Sequence, residues 1–357
     1  CAHQKLGQVY RLVFKAFSHG IEDLTITLGA VKKGLYSHPC FEHCGVMVLA
    51  DIGIPQSCYE SCEAILTEDM IREFIPERRA VSNKGSYGRL LNIAGSGRYT
   101  GAALLSTDAA LKTGVGLCTL ATPTRVINAI AAAVPETTYI PLTGNAEGFM
   151  DDEGAGEVRR LIHDSKYTAI SVGCGLGNSE AVGKLTEYVV KNADCPVIID
   201  ADGLNSISGN INVLRENRKG VVITPHPMEF SRLTGMSVDE IQADRISAAK
   251  NFAIDYNVTV VLKGVNTVIA APTGECFINT TGNPGLAKGG SGDVLTGMIA
   301  SFIAQGVERF YAAVLAVYLH GLAADRLAAD RSLFGIMPRD IADEVMRIGI
   351  REASAES

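Results

Sequence analysis

From residue 84 to about residue 270 the chain alternates between short, almost wholly apolar runs and segments with a helical period, and this leaves few folds open. The apolar runs are R-L-L-N-I-A-G, G-L-C-T-L-A-T-P, Y-T-A-I-S-V-G-C-G-L-G, P-V-I-I-D-A-D-G-L-N, G-V-V-I-T-P-H-P and V-T-V-V-L-K-G. Between the first of them lie the helical segments G-A-A-L-L-S-T-D-A-A-L-K-T-G and T-R-V-I-N-A-I-A-A-A-V. A strand that is apolar on both sides must be covered on both faces, so the expected fold is three-layer α/β/α around a mostly parallel central sheet. Residues 290–330 read as almost continuous helix.

In a sheet of this kind, ligands bind beyond the carboxyl ends of the strands. Gly95 and Gly97, Gly173 and Gly175, Asp200 and Asp202, His226, and Lys263 with Gly264 each follow an apolar run directly. Their convergence predicts one site along that edge.

The densest feature is N-P-G-L-A-K-G-G-S-G-D-V-L-T-G at residues 283–297, where five glycines surround one carboxylate, Asp293, ahead of an apolar helix. Glycine tolerates positive φ and lets bare N–H groups approach a ligand. A helix opening near Gly292 adds unpaired amides and the positive end of its dipole. Together they form an anion hole suited to a phosphoryl group in transfer. Asp293 then has two readings. One is an ordinary N-cap, stabilising by about 1 kcal/mol; the other is a base placed to take a proton from a hydroxyl attacking phosphorus. The glycines on both sides favour the base.

Composition removes other classes. The net charge of −7, with no basic stripe, argues against a nucleic-acid surface. No run approaches the roughly eighteen apolar residues of a membrane span, and residues 1–20 lack a signal-peptide pattern. Nine cysteines, an odd number without a secretory signal, are expected as free thiols of a cytoplasmic protein. Cys40/Cys44 and Cys58/Cys62, with His38 and His43 nearby, offer a zinc alternative, but their spacing departs from the usual two-residue one.

Six motifs in order identify a family. They are K-G-S-Y-G-R-L-L-N-I-A-G-S-G-R-Y-T-G-A-A, V-G-C-G-L-G, V-I-I-D-A-D-G-L-N, I-T-P-H-P-M-E-F-S-R-L-T-G, V-L-K-G-V-N-T-V-I and the 283–297 stretch. Across residues 84–330 the chain resembles the ADP- or ATP-dependent NAD(P)H-hydrate dehydratases of the ribokinase-like superfamily. The resemblance implies a ribokinase-like fold and a lyase that repairs hydrated NADH or NADPH, with an adenine nucleotide, ADP rather than ATP, as co-substrate and Mg²⁺ as cofactor. It implies that Asp293 is the acid/base and contacts the hydrate, together with Ala102, Gly175 and His226. It places the nucleotide on Lys263, Gly264, Val265, Asn266 and Thr267 and on Gly289, Gly290 and Gly292. Asp200 and Asp202 would help hold Mg²⁺ through water, with Glu229 in the same network. Where the family carries Pro in its V-G-P-G-L-G, this chain has Cys174. Small-molecule substrates are the implied partners, with no nucleic acid or membrane, and a homo-oligomer is expected.

Residues 23–55 resemble the end of the NAD(P)H-hydrate epimerase domain that precedes the dehydratase in bacterial fusions, while residues 1–20 do not match it; residues 1–60 are read as a partial Rossmann-like remnant of that domain. The first residue is Cys rather than Met, as if the chain began mid-protein. The epimerase loop, potassium ligands and catalytic Asp are missing, so no epimerase activity is expected, and uncovered sheet edges should favour association near residues 1–55. Residues 61–83 are read as linker and helix, and 84–350 as the dehydratase domain. Three alternatives stay open: a ribokinase-like kinase acting on a vitamin precursor or sugar, a non-catalytic nucleotide-binding remnant, and a flavodoxin-like or dinucleotide-oxidoreductase fold.

Overall fold

The computed structural model describes residues 24–36, 40–55, 63–163 and 166–348. Ten strands form the main sheet: β3 (Glu63–Ile65), β4 (Arg89–Ile93), β5 (Leu117–Pro123), β6 (Thr138–Leu142), β7 (Ala169–Val172), β8 (Val197–Ile199), β9 (Val221–Ile223), β10 (Val258–Leu262), β11 (Val268–Ala270) and β12 (Cys276–Ile278). Their order is β3-β12-β11-β10-β9-β8-β7-β4-β5-β6. Only β11 runs against the rest, pairing antiparallel with β10 and β12. The segment read as a linker supplies the edge strand β3, parallel to β12.

Strand alternation feeds two cores. Val197 and Ile199 of β8, Val221 and Ile223 of β9, and Val258, Val260 and Leu262 of β10 face one helical layer. Ile198, Val222 and Val261 face the other, built on the helices Ser291–Ala304 and Arg309–Asp330. Period-two burial on both faces is what a covered parallel sheet requires. Arg309–Asp330 is long and apolar enough to cross a membrane, but 72% of its apolar window is buried inside the fold, where it serves as a core helix.

Two contacts fix the helix Thr100–Lys112 against this frame. Asn92 of β4 is buried, and its Nδ2 donates to Ser106 Oγ at 2.9 Å and Thr107 Oγ1 at 3.0 Å. Gly297 lies against the same turn: a Cβ there would fall 2.1 Å from Ser106 O, so the two helix backbones meet only because this residue is glycine. The strand order reverses at β4, whose neighbours are β7 and β5, and the site forms at this end.

Before the main sheet, β1 (Leu24–Leu28) and β2 (Val46–Ala50) form a separate two-stranded parallel ribbon. Val46, Val48 and Leu49 on it are exposed. His38, Cys58 and Cys62 lie outside the described residues. Cys40 and Cys44 are free, and the Cys44 thiol donates to the Cys40 carbonyl at 3.1 Å.

Candidate active site

The helix Ser291–Ala304 starts at Gly290, whose φ of +102° turns the chain into it. It is this φ that demands glycine; a Cβ here would also press on the tip of the Leu105 side chain, Cδ1 at 2.5 Å, which can move. Among the described residues, no protein acceptor faces the backbone N–H of Gly289, Gly290, Gly292 or Asp293. The space before them is open. A Cβ on Gly289 would meet nothing within 4 Å, and one on Gly292 only Lys263 Nζ at 3.3 Å and Asp200 Oδ2 at 3.8 Å. Unpaired amides at the positive end of a helix, facing open space beside an ammonium, make an anion site. The N-cap reading of Asp293 is overturned: Gly290 holds that position, Asp293 lies inside the first turn, and no side chain caps the helix.

A buried polar cluster adjoins these amides. Asp200, 1% exposed, accepts from Lys263 Nζ at 2.8 Å through Oδ1 and from Thr296 Oγ1 at 2.8 Å through Oδ2. Oxygens of Asp200 and Asp293 and the sulfur of Cys174 all lie within 4.8 Å of one another. Burial and the Asp200 carboxylate push the Asp293 pKa up to about 6, against the Cys174 thiol and the Lys263 ammonium, which hold it down. Burial and the same two carboxylates push the Cys174 thiol well up, so it stays protonated. At Lys263 burial opposes the charge, but Asp200 and Glu229 outweigh it and the ammonium persists.

His226 ends the loop after β9 and caps the helix Pro227–Thr234 with its own ring. Its Nδ1 accepts from the N–H groups of Met228 and Glu229, both at 3.2 Å, while Glu229 Oε2 accepts from the His226 N–H at 2.8 Å. An accepting Nδ1 leaves the ring proton on Nε2, which is 3.3 Å from Glu229 Oε1. Burial and the Lys263 charge lower the His226 pKa, so the neutral ring is the resting form. Burial raises that of Glu229, which reaches Lys263 Nζ at 3.8 Å.

Ala102 and Gly175 touch. Gly175 has a φ of +64°, and a Cβ there would lie 2.6 Å from Ala102 Cβ and 2.7 Å from Tyr99 Cβ. Ser96 Oγ donates to the Gly175 carbonyl at 2.8 Å. Small residues on both sides thus let the start of the Thr100–Lys112 helix close on the loop after β7. Asp202 takes the Gly177 N–H at 2.8 Å on Oδ2, and burial raises its pKa. Between the two acids Ala201 holds a φ of +50°, rare outside glycine.

The K-G-V-N-T segment is divided. Lys263 joins the cluster, whereas Val265 is 69% exposed and Asn266 is buried, with Nδ2 donating to the Tyr36 carbonyl at 3.1 Å. Thr267 Oγ1 turns back to the Gly264 carbonyl at 2.9 Å. Sequence reasoning missed Thr296. Its T-G signal was read as flanking glycine chemistry, yet the hydroxyl fixes Asp200 and the glycine admits the neighbouring helix. Glu229 is expected only in the metal-linked network, and its place between His226 and Lys263 is not readable from spacing.

Comparison with known proteins shows the family and the fold. The family model described as NAD(P)H-hydrate dehydratase matches residues 90–347. The ADP-dependent (S)-NAD(P)H-hydrate dehydratase of Bacillus subtilis is 38% identical over 283 residues, covering 79% of this chain and 96% of that protein. The bifunctional NAD(P)H-hydrate repair enzyme Nnr of Moorella thermoacetica is 37% identical over 322 residues, 89% of this chain but 60% of the relative. The chain therefore spans about three fifths of the length of that bifunctional relative. Among solved structures, the Bacillus subtilis ADP/ATP-dependent NAD(P)H-hydrate dehydratase co-crystallised with ATP/Mg²⁺ superimposes with a TM-score of 0.71 at 37% identity, covering 79% and 96% of the two chains. A ribokinase-like superfamily protein of Enterococcus faecalis does so at 0.69 and 29% identity, covering 81% and 96%. The fold is ribokinase-like.

Proposed function

Because the chain belongs to the NAD(P)H-hydrate dehydratase family, we propose that it repairs nicotinamide cofactors. It would use an adenine nucleotide, preferably ADP, to convert the S form of hydrated NADH or NADPH back to the reduced cofactor, releasing AMP and phosphate. The observation that carries this reading is one acid, Asp293, its pKa raised to about 6, set beside a row of amides without acceptors among the described residues. That pairing suits phosphoryl transfer to a hydroxyl.

The hydroxyl on the sixth carbon of the hydrated ring is a poor leaving group, and phosphorylation makes it a good one. Asp293, ionised above about pH 6, takes the hydroxyl proton as the oxygen attacks the terminal phosphorus of the nucleotide. The bond from that phosphorus to its bridging oxygen breaks and AMP departs. The amides of Gly289, Gly290 and Gly292 receive the charge that spreads over the phosphoryl oxygens. The ring nitrogen then pushes phosphate off the sixth carbon, and loss of a proton from the fifth restores the double bond. Lys263, Gly264, Val265, Asn266 and Thr267 would hold the nucleotide, and Ala102, Gly175 and His226 the hydrate.

Magnesium favours oxygen ligands, few carboxylates and retained water. Both oxygens of Asp200 are engaged by Lys263 and Thr296, while Asp202 commits only Oδ2 to the protein among the described residues. The residues therefore fit an ion linked through water to Asp202 better than one on Asp200, with Glu229 more distant in the network. The ion, when bound, would neutralise nucleotide phosphate charge. The same reading has the protein act in the cytoplasm as a homo-oligomer on small molecules, and sedimentation of the purified chain tests its assembly.

The deciding assay incubates the chain with hydrated NADH and ADP or ATP and follows the absorbance band of reduced nicotinamide. Recovery that requires nucleotide is expected, faster with ADP. No recovery, alongside phosphorylation of a vitamin alcohol, would assign the site to a kinase instead.

A further inference from the structure

The loop that presents the glycines is held from behind by a carboxylate that the reaction above does not use. Asp325, on the Arg309–Asp330 helix, directs both oxygens at two consecutive residues. Its Oδ2 accepts the Gly282 N–H at 2.8 Å and its Oδ1 accepts Asn283 Nδ2 at 2.9 Å. The second bond fixes which way the Asn283 amide points, so Asn283 Oδ1 is left to accept the Gly285 N–H at 2.9 Å and cap the short turn Pro284–Leu286. From there the backbone is relayed turn by turn. Leu286 N–H donates to Asn283 O at 3.1 Å, Ala287 N–H to Pro284 O at 3.0 Å, Lys288 N–H to Leu286 O at 2.8 Å, and Ser291 N–H to Lys288 O at 3.2 Å. The far end is tied by Lys288 Nζ to the carbonyls of Phe334 and Ile336 at 2.6 and 2.7 Å. Close approach at the near end depends on Gly321, where a Cβ would lie 2.6 Å from Thr281 O.

We propose that Asp325 is a positioning residue for phosphoryl transfer, acting through Asn283 to set where the amides of Gly289, Gly290 and Gly292 stand. The proposal rests on the nucleotide-dependent reading of the site. Its logic lies in donor and acceptor polarity. Asp325→Asn leaves one oxygen for two donors: its NH₂ faces either the Asn283 NH₂ or, turned over, the Gly282 N–H, and flipping Asn283 instead turns that NH₂ onto the Gly285 N–H. Asn283→Asp instead sets two carboxylates face to face. The exchange N283D/D325N removes both conflicts. Asn at 325 gives its oxygen to the Gly282 N–H and its NH₂ to Asp at 283, whose other oxygen still takes the Gly285 N–H.

Turnover, nucleotide KM, thermal midpoint and backbone hydrogen exchange over residues 280–292 would be measured on the full chain and the three variants. Each single variant should lower kcat at least about tenfold, the usual effect of losing a charge-assisted hydrogen bond, and speed exchange in that segment. The exchange variant should return both to within about threefold of the native chain, because coupled sites compensate. Singles that leave kcat unchanged, a double variant no better than either single, or a kcat loss that merely tracks the thermal midpoint would each overturn the assignment. If the native chain restores no hydrated NADH, the reaction reading fails, and recovery of slow exchange in the double variant still decides the clamp.

Discussion

The two ends of the Ser291–Ala304 helix have opposite fates. At the carboxyl end each of the last four carbonyls is taken: Ser301 O by Gln305 N–H, Phe302 O by Val307 N–H, Ile303 O by Gly306 N–H and Ala304 O by Thr168 Oγ1. Gln305 Nε2 bonds Thr113 O and Ser301 O as well. At the amino end, four amides in and before the first turn face no protein acceptor among the described residues, and no side chain caps the helix. A chain that satisfies one end so completely could have capped the other with a single Ser or Asp at about 1 kcal/mol of gain. Under the proposed function, the nucleotide phosphates would supply the missing acceptors at the open end.

Substitutions at the open end should therefore cost turnover, and those at the closed end stability. The largest effect is expected for Asp293→Asn, which should lower kcat by about 10²–10⁴-fold, the usual contribution of a general base, while calorimetry still detects nucleotide. Turnover within tenfold of native would break the assignment. The same substitution should raise stability near neutral pH. The Asp293 pKa is raised in the fold to about 6, so the folded state binds its proton more tightly than the unfolded chain does. Native stability falls as pH rises from about 4 to 6 on this account, by a few kcal/mol at most. A thermal midpoint of Asp293→Asn that exceeds native at pH 7.5 and converges with it below pH 4 is the expected pattern. In the wild type, kcat should rise with pH through about 6.

Gly292→Ala comes next. Its Cβ has room at 3.3 Å from Lys263 Nζ but occupies the space before the amides. Folding should persist while kcat falls about 10²–10³-fold, comparable with losing one preorganised donor, and nucleotide KM rises; unchanged kinetics would place the phosphates elsewhere. At the closed end, Thr168→Val removes the hydroxyl that donates to Ala304 O at 2.8 Å and accepts the Arg89 N–H at 2.9 Å. It should lower stability by about 1–3 kcal/mol in denaturant titration and leave kcat and KM native. A kinetic defect there would erase the distinction between the ends.

The sheet was legible in the sequence wherever strands were continuously apolar, as in V-T-V-V-L and P-V-I-I-D. The short edge strands were harder to see. Glu63–Ile65 is only three residues long and sits in a charged segment, so its pairing with β12 comes from tertiary context rather than local pattern. At the site, the anion hole could be read because glycines in sequence become open amides in space. The ion pair of Lys263 with Asp200, 63 residues apart, and the clamp of Asp325 on Asn283, 42 apart, could not. Nothing in local spacing encodes which distant polar side chains the crossovers bring together.

The contact of Gly297 with Ser106 is between main chains, with no side chain to rotate out of the way. The helix Thr100–Lys112, which carries Ala102, and the one that begins at Gly290 therefore behave as one strut. Under the proposed function, neither the hydrate pocket nor the phosphoryl cradle would drift without dragging its twin, and the gap between hydroxyl and phosphorus would be set before either guest arrives.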